Sequence, residues 1–88
     1  MTRCIITYDL KAPGRNYDEL NKRIKSYGSW AQITESSWSV MTTQSAVQIR
    51  DHLMAAIDRN DKILVGILGT AAWYGLPNEA SDRLLANT

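Results

Sequence analysis

The sequence predicts a single α+β domain in which a four-stranded antiparallel sheet carries two helices on one face. Two observations lead to this prediction. Four short runs rich in Ile, Val, Trp and Thr are typical of strands, and they cover residues 3–10, 30–34, 37–42 and 62–68. Two capping boxes, Asn16-x-x-Glu19 and Ser45-x-x-Gln48, each precede apolar residues at helical spacing. The predicted order of elements is therefore β-α-β-β-α-β.

The length, net charge and cysteine content of the chain exclude several classes of protein. The chain has 88 residues, which is enough for one core, so we expect one domain with a core over 3–69 and an extension over 70–88. A net charge of +1 argues against a general duplex-DNA binder, which usually carries a basic stripe. The single Cys4 excludes a disulfide framework. The N-terminus does not resemble a signal peptide, and no apolar run reaches membrane-spanning length, so we expect a cytoplasmic protein.

The first strand is apolar on both faces, as is typical of a central strand. The helix that follows the Asn16 capping box carries acidic residues in its first turn and basic residues later, which suits the helix dipole. Its inward stripe is Tyr17, Leu20, Ile24 and Tyr27, and Gly28 is the expected residue after its C-terminus.

The second half repeats the pattern with two strands before the helix. Trp38, Val40 and Thr42 share one face of the third run. The second helix is predicted to end at Asn60, in a left-handed conformation, and its inward stripe is Ala46, Ile49, Leu53, Ala56 and Ile57. The last run, KILVGIL over 62–68, is apolar on both faces.

This order of elements is the ferredoxin-like split βαβ arrangement, whose sheet order is 4-1-3-2. The last strand then lies at an edge, where an apolar strand is normally covered. A symmetric partner would cover it, so we expect a homodimer with the last strand at or near the interface. The extension contains Trp73-Tyr74, a turn over 75–77 and a short helix after Asn78, and it either crosses to the partner or folds back over its own sheet.

The stretch TYDLKAPGRNY, residues 7–17, has the composition of an anion site. Asp9 ends a strand, Pro13-Gly14 breaks the chain, and Arg15 and Asn16 precede a helix N-terminus. Arginine and N-terminal amides favour phosphate, and a carboxylate can hold a bridging cation. The alternative is a structural connection between strand and helix, with Asp9 capping the loop or pairing with Arg15.

Several residue runs, in order along the chain, resemble one protein family: YDL at 8–10, GRNYDEL at 14–20, IKSYGSWA at 24–31, ESSWSV at 35–40, SAVQIRD at 45–51 and DKILVG at 61–66. Together they resemble the SinR-like branch of the superfamily of CRISPR-associated protein 2. The resemblance implies a ferredoxin-like homodimer. In nuclease members an aspartate at the end of strand one is proposed to hold a divalent metal, and Asp9 matches that position. The stretch after Asp9 lacks the basic run common in those nucleases, and the tail does not resemble their swapped fifth strand.

Aromatic residues with polar atoms supply the remaining candidates for a ligand site. Tyr8 and Tyr17 lie near Arg15, and Trp38, Trp73 and Tyr74 are further candidates for stacking against a base. Tyr17 and Trp38 also fall on inward faces, which favours a core position for both. The only histidine, His52, has no nearby partner in the sequence and is interpreted as structural.

These observations predict a homodimeric binding module, without turnover and without a cofactor, for a nucleotide or a short or cyclic oligonucleotide. The predicted ligand residues are Tyr8, Asp9, Arg15, Asn16, Tyr17, Trp38, Trp73 and Tyr74, at or near the dimer interface. Sequestration of a signalling nucleotide, as by a small phage or mobile-element protein, would fit such a site. The alternative is a Mg²⁺-dependent endonuclease using Asp9 from both subunits, and a third reading is a dimer that binds only proteins.

Overall fold

Strand β1 is one of the two central strands of the sheet, because both of its edges pair with other strands. In the computed structural model, which describes residues 1–11 and 17–86, β1 (Thr2–Asp9) lies between β3 (Ser37–Thr42) and β4 (Lys62–Ile67). Strand β2 (Ser29–Thr34) pairs with the outer edge of β3. All pairs are antiparallel and the order is β2-β3-β1-β4, which fits the ferredoxin-like arrangement predicted from the sequence.

Three helices complete the described fold: α1 (Asp18–Lys25), α2 (Ala46–Met54) and α3 (Asn78–Ala86). No helix in the described ranges is long and apolar enough to cross a membrane. Helices α1 and α2 cover one face of the sheet, as predicted, and their buried residues Leu20, Ile24, Ile49 and Leu53 join one core with Cys4, Ile6, Trp38 and Val40. The register pairs Cys4 with Val40 and Ile6 with Trp38, so these four side chains share a face.

The predicted C-terminal extension folds back over its own sheet. Its helix α3 packs against β2 through buried Ala80 and Leu84. Arg3 donates from Nη2 to the Leu84 carbonyl oxygen at 3.0 Å. Arg3 neighbours Cys4 in β1, and successive side chains point to opposite faces, so α3 lies on the face that α1 and α2 leave open.

Helix α2 is shorter than the sequence predicted. It ends at Met54 rather than near Asn60. No non-glycine residue in the described ranges has a positive φ, so the prediction of a left-handed conformation at Asn60 is wrong. The chain instead tightens into i→i+3 turns, in which the amides of Ala56 and Ile57 donate to Leu53 and Met54. The Asp58 amide then donates a hydrogen bond to Asp61 Oδ2 at 2.7 Å. Ala56 nevertheless stays buried, as the predicted stripe requires.

The two predicted capping boxes have different outcomes. Ser45 accepts from the Gln48 amide, and Gln48 accepts from the Ser45 amide, so the box that begins α2 is confirmed. At α1 the N-cap residue is Tyr17, which makes no side-chain cap bond. Asn16, the cap predicted for that helix, lies outside the described residues. Gly28, predicted to follow α1, has φ of 85°, a conformation that glycine adopts without strain.

Two ionisable groups, one in the core and one packed against it, make stability depend on pH in the alkaline range. Burial raises the pKa of the Cys4 thiol from its ordinary value of 9.0. Burial, and then the charge of Cys4, raises the pKa of the Tyr27 hydroxyl from 10.0. A raised pKa means that the folded state holds its proton after the unfolded chain has lost it. The stabilising contribution is therefore complete below pH 9 and is lost as pH rises further.

We predict that the free energy of unfolding falls as pH rises above about 9, the ordinary pKa of the thiol. Urea titrations at intervals from pH 7 to pH 10 measure it. Cys4→Ala removes the buried thiol and makes the decline shallower, although it also lowers stability at pH 7. An identical decline in the wild type and in Cys4→Ala would contradict the prediction.

Candidate functional site

The end of β1 brings two of the predicted site residues into direct contact. The hydroxyl of Tyr8 accepts a hydrogen bond from Trp38 Nε1 at 2.9 Å and donates one to the Glu35 carbonyl oxygen at 3.1 Å. Trp38 is 1% exposed, and the core encloses its ring. That enclosure leaves no open face for a base to stack on, and it agrees with the inward position that strand alternation predicted. Tyr8, by contrast, is half-buried and reaches the surface.

Asp9 lies at the surface just beyond Tyr8. Its Oδ2 is 3.0 Å from Lys11 Nζ, and both side chains are 55% exposed. An exposed pair of this kind contributes little to stability, because water screens it. In residues 1–11 and 17–86, no group of three or more His, Cys, Asp or Glu side chains could hold a metal ion. In a single chain, Asp9 would therefore have to bind a metal without a described cluster around it.

Asp61 organises this region, although the sequence analysis did not single it out. Its Oδ1 accepts from the Lys11 amide at 2.6 Å, and its Oδ2 accepts from the Tyr17 hydroxyl at 2.8 Å. Oδ2 also accepts from the Asp58 amide at 2.7 Å. One carboxylate thus ties the residue before the 12–16 segment and the residue after it to the turn between α2 and β4. Arg15 and Asn16, the predicted anion-binding residues, belong to that segment and lie outside the described residues.

Asp61 carried only a local signal in the sequence. An aspartate three residues after Asp58 can form an Asx-type turn, and the bond to the Asp58 amide is of that type. Its two other bonds span 50 and 44 residues along the chain, so sequence spacing cannot reveal them. Tyr17 was interpreted as either core or ligand-binding. It packs against the core, and its hydroxyl is engaged by Asp61.

Trp73 and Tyr74 lie in a different part of the chain, between β4 and α3. Trp73 is half-buried and donates from Nε1 to Ser81 Oγ at 3.1 Å, which fixes its ring against α3. Tyr74 is 99% exposed and precedes Gly75, whose φ is 77°. Among the described residues, no hydrogen bond or ring contact joins this pair to Asp61. The predicted site residues therefore divide between two places in one chain.

The histidine interpreted as structural packs on an aromatic neighbour. The His52 ring meets the Tyr27 ring edge-on, with centroids 5.8 Å apart and planes at 83°. The backbone oxygen of His52 accepts from Arg23 Nη1 at 2.7 Å, which links α2 to α1. Tyr27 has a buried hydroxyl without a hydrogen-bond partner in the described ranges.

A second candidate site, absent from the sequence analysis, lies beside β2. We call it the Trp30 cleft: an open cavity of about 310 Å³ lined by Lys25, Trp30, Gln32, Pro77, Glu79, Ala80 and Arg83. The Arg83 guanidinium carbon lies 3.9 Å from the centre of the Trp30 ring, and Lys25 Nζ lies 5.0 Å from it. Sequence reasoning missed the cleft because its cations come from α1 and α3, which only the tertiary structure brings to the same strand.

Neither of two comparisons with known proteins supplies a relative from which a function could be transferred. A scan against protein-family models finds no match for this chain, and a search of curated proteins finds none either.

We predict that Asp61→Asn lowers the free energy of unfolding by about 1.5–3 kcal/mol, the range for hydrogen bonds to a charged group. The amide keeps the shape of the carboxylate but replaces one accepting oxygen with a donor, so it faces the donors of Lys11, Tyr17 or Asp58. Urea denaturation at pH 7 measures the difference.

Asp51→Asn is the matched control for this prediction. Asp51 is exposed, and the ion pair it makes within the described residues is with the adjacent Arg50, at 2.8 Å. Its substitution should change stability by no more than about 0.5 kcal/mol. Equal effects of the two substitutions would refute the anchoring role of Asp61.

Proposed function

We propose that the protein is a non-catalytic, homodimeric binding module for a nucleotide or a short oligonucleotide. The resemblance to the SinR-like branch of the CRISPR-associated protein 2 superfamily, given by the residue runs above, is part of the same proposal, as is a cytoplasmic location. The observation that carries the proposal is the anchoring of both ends of the 12–16 segment by Asp61.

A loop that recognises phosphate binds best when its ends are already held, because less conformational entropy is lost on binding. The Lys11 amide and the Tyr17 hydroxyl, one at each end of the segment, are both bonded to the same carboxylate. Arg15 and Asn16 enter the proposal through the sequence alone: arginine matches the geometry of a phosphate, and residues before a helix present free amides. Tyr8, half-buried beside Asp9, is the nearby aromatic ring.

The two edges of the sheet support self-association through β4. At the β2 edge, Arg83 Nη1 donates to the Trp30 carbonyl oxygen at 3.3 Å, and α3 packs alongside. At the other edge, β4 pairs only with β1 in the described sheet, and Leu64 and Ile67 are 60% and 72% exposed. An apolar strand edge of this kind favours pairing with another chain. A two-fold arrangement closes such an edge in a single step.

The nuclease alternative depends on Asp9 alone. Its side chain is accessible, which would allow a metal shared between two subunits, but Lys11 occupies one of its oxygens at 3.0 Å. Incubation with labelled single- and double-stranded RNA and DNA in Mg²⁺ or Mn²⁺ separates the two functions. Cleavage that Asp9→Asn abolishes would replace binding with catalysis as the function.

We predict micromolar or tighter binding to at least one member of a panel of mono-, cyclic and oligonucleotides, measured by calorimetry. Arg15→Gln should weaken that binding by about tenfold or more, since a charge-assisted bond contributes about 1.5–3 kcal/mol. Arg50→Gln is the control, because the Arg50 side chain is exposed on α2 and pairs with Asp51. Absence of binding tighter than millimolar across the panel would overturn the proposed function.

We also predict that the protein has the mass of a dimer in light scattering at micromolar concentration. Leu64→Lys places a charge on the exposed edge strand and should shift the protein to the mass of one chain. Val47→Lys is the matched control, because Val47 is 55% exposed and belongs to helix α2 rather than to an edge strand. A wild-type protein that is monomeric at this concentration would contradict the predicted interface.

A further inference from the structure

We propose that the Trp30 cleft is a phosphate-binding site, which takes the phosphate group of a nucleotide between Lys25 and Arg83. The inference rests on the proposed function for the identity of the ligand and adds a location and a mode of recognition. It uses none of the residues of the Asp61 region.

One aromatic ring holds both cations of the cleft. Arg83 lies over the Trp30 ring at 3.9 Å and Lys25 Nζ lies 5.0 Å from the same ring centre. The two charges are therefore separated by no more than the sum of those distances. The electron-rich face of tryptophan attracts cations, which offsets part of their mutual repulsion. A ring that collects two positive charges leaves a concentrated positive potential beside it.

The position of Trp30 is itself well supported. The ring packs on Trp38 with centroids 5.6 Å apart and planes at 59°, so it rests on the largest buried side chain of the core. Arg83 makes a second contact with Trp30 besides the one to its ring, because Arg83 Nη1 donates to the Trp30 carbonyl oxygen at 3.3 Å. The arginine is thereby oriented before any ligand arrives, which lowers the entropic cost of binding.

The cleft already contains one weakly held anion. Glu79 Oε1 lies 3.5 Å from Arg83 Nε, and the Glu79 side chain is 75% exposed. Lys25 pairs with no carboxylate within 4 Å in the described parts of the chain. Among the described residues that line the cleft, there are two cations, Lys25 and Arg83, and one carboxylate, Glu79. An exposed carboxylate at this distance contributes little energy, so a phosphate dianion can replace it on Arg83.

The chemistry of the cleft favours phosphate over an uncharged base. Protein cations already lie against the Trp30 ring, so the ring is not free to stack on a nucleobase. The guanidinium fork matches phosphate oxygens, and Lys25 adds a second donor charge. The Gln32 amide, exposed on the same strand, offers a hydrogen bond to the rest of the ligand. A volume of about 310 Å³ is at the lower end of the range for small-molecule sites.

Adenosine monophosphate, adenosine and inorganic phosphate are the probes, measured by calorimetry on the full chain. We expect adenosine monophosphate to bind at least tenfold more tightly than adenosine. Lys25→Gln should weaken that binding fivefold or more. Glu79→Gln should tighten it two- to fivefold, because the competing carboxylate is gone. A gain of affinity cannot result from damage to the fold, so Glu79→Gln separates ligand recognition from stability.

Lys22→Gln is the matched control, since Lys22 is an exposed lysine of α1 that does not line the cleft. Thermal unfolding of each variant confirms that the fold is kept. If adenosine monophosphate binds and neither Lys25→Gln nor Glu79→Gln changes its affinity, this inference is overturned while the proposed function stands. If only Arg15→Gln abolishes binding, the ligand site is the 12–16 segment and the cleft is excluded. No binding of adenosine monophosphate or phosphate to wild type and Glu79→Gln also overturns it.

Discussion

Burial of the indole of Trp38 between the sheet and its two helices is the constraint on which the rest of the structure depends. Trp38 is the largest fully buried side chain, and its ring lies in the core with Ile6, Leu20 and Leu53. A buried indole N–H needs an acceptor, and Tyr8 supplies it from the neighbouring strand. The pairing of Ile6 with Trp38 sets the register between β1 and β3, because a shift of one residue would turn every core side chain outward.

That register also determines where the polar groups at the end of the sheet, Asp9, Lys62 and Asp61, are placed. With β1 held against β3 and β4, Asp9 is opposite Lys62, and Asp61 arrives beside the chain that leaves β1. A single carboxylate then accepts hydrogen bonds from two separate segments as well as from its own turn. This acceptor ties Lys11 and Tyr17, which flank residues 12–16, to the turn between α2 and β4.

The two edge strands of the sheet, β2 and β4, differ in what covers them. The Trp30 cleft lies at the first, and an exposed apolar edge lies at the second. At β2, the C-terminal helix covers the back of the strand while Arg83 passes to the Trp30 ring, so protection of an edge also produces a cationic cleft. At β4, exposed Leu64 and Ile67 leave an apolar border, which favours a second copy. A dimer through β4 would leave the Trp30 clefts at the outer ends of the assembly, accessible to ligand.

The sequence by itself determined the type and order of the strands and of the first two helices, and most of the core. Apolar alternation and the Ser45 capping box involve only residues that are close together in the chain. They can therefore be recognised without the tertiary structure. The early end of α2 was not visible in this way, because a competing acceptor, Asp61, takes the Asp58 amide. The tertiary structure alone decided that Trp38 is enclosed, that Asp61 joins segments 44 and 50 residues away, and that Lys25 and Arg83 meet at one ring. Each of these depends on side chains distant in the sequence, whose proximity is set by packing rather than by spacing along the chain.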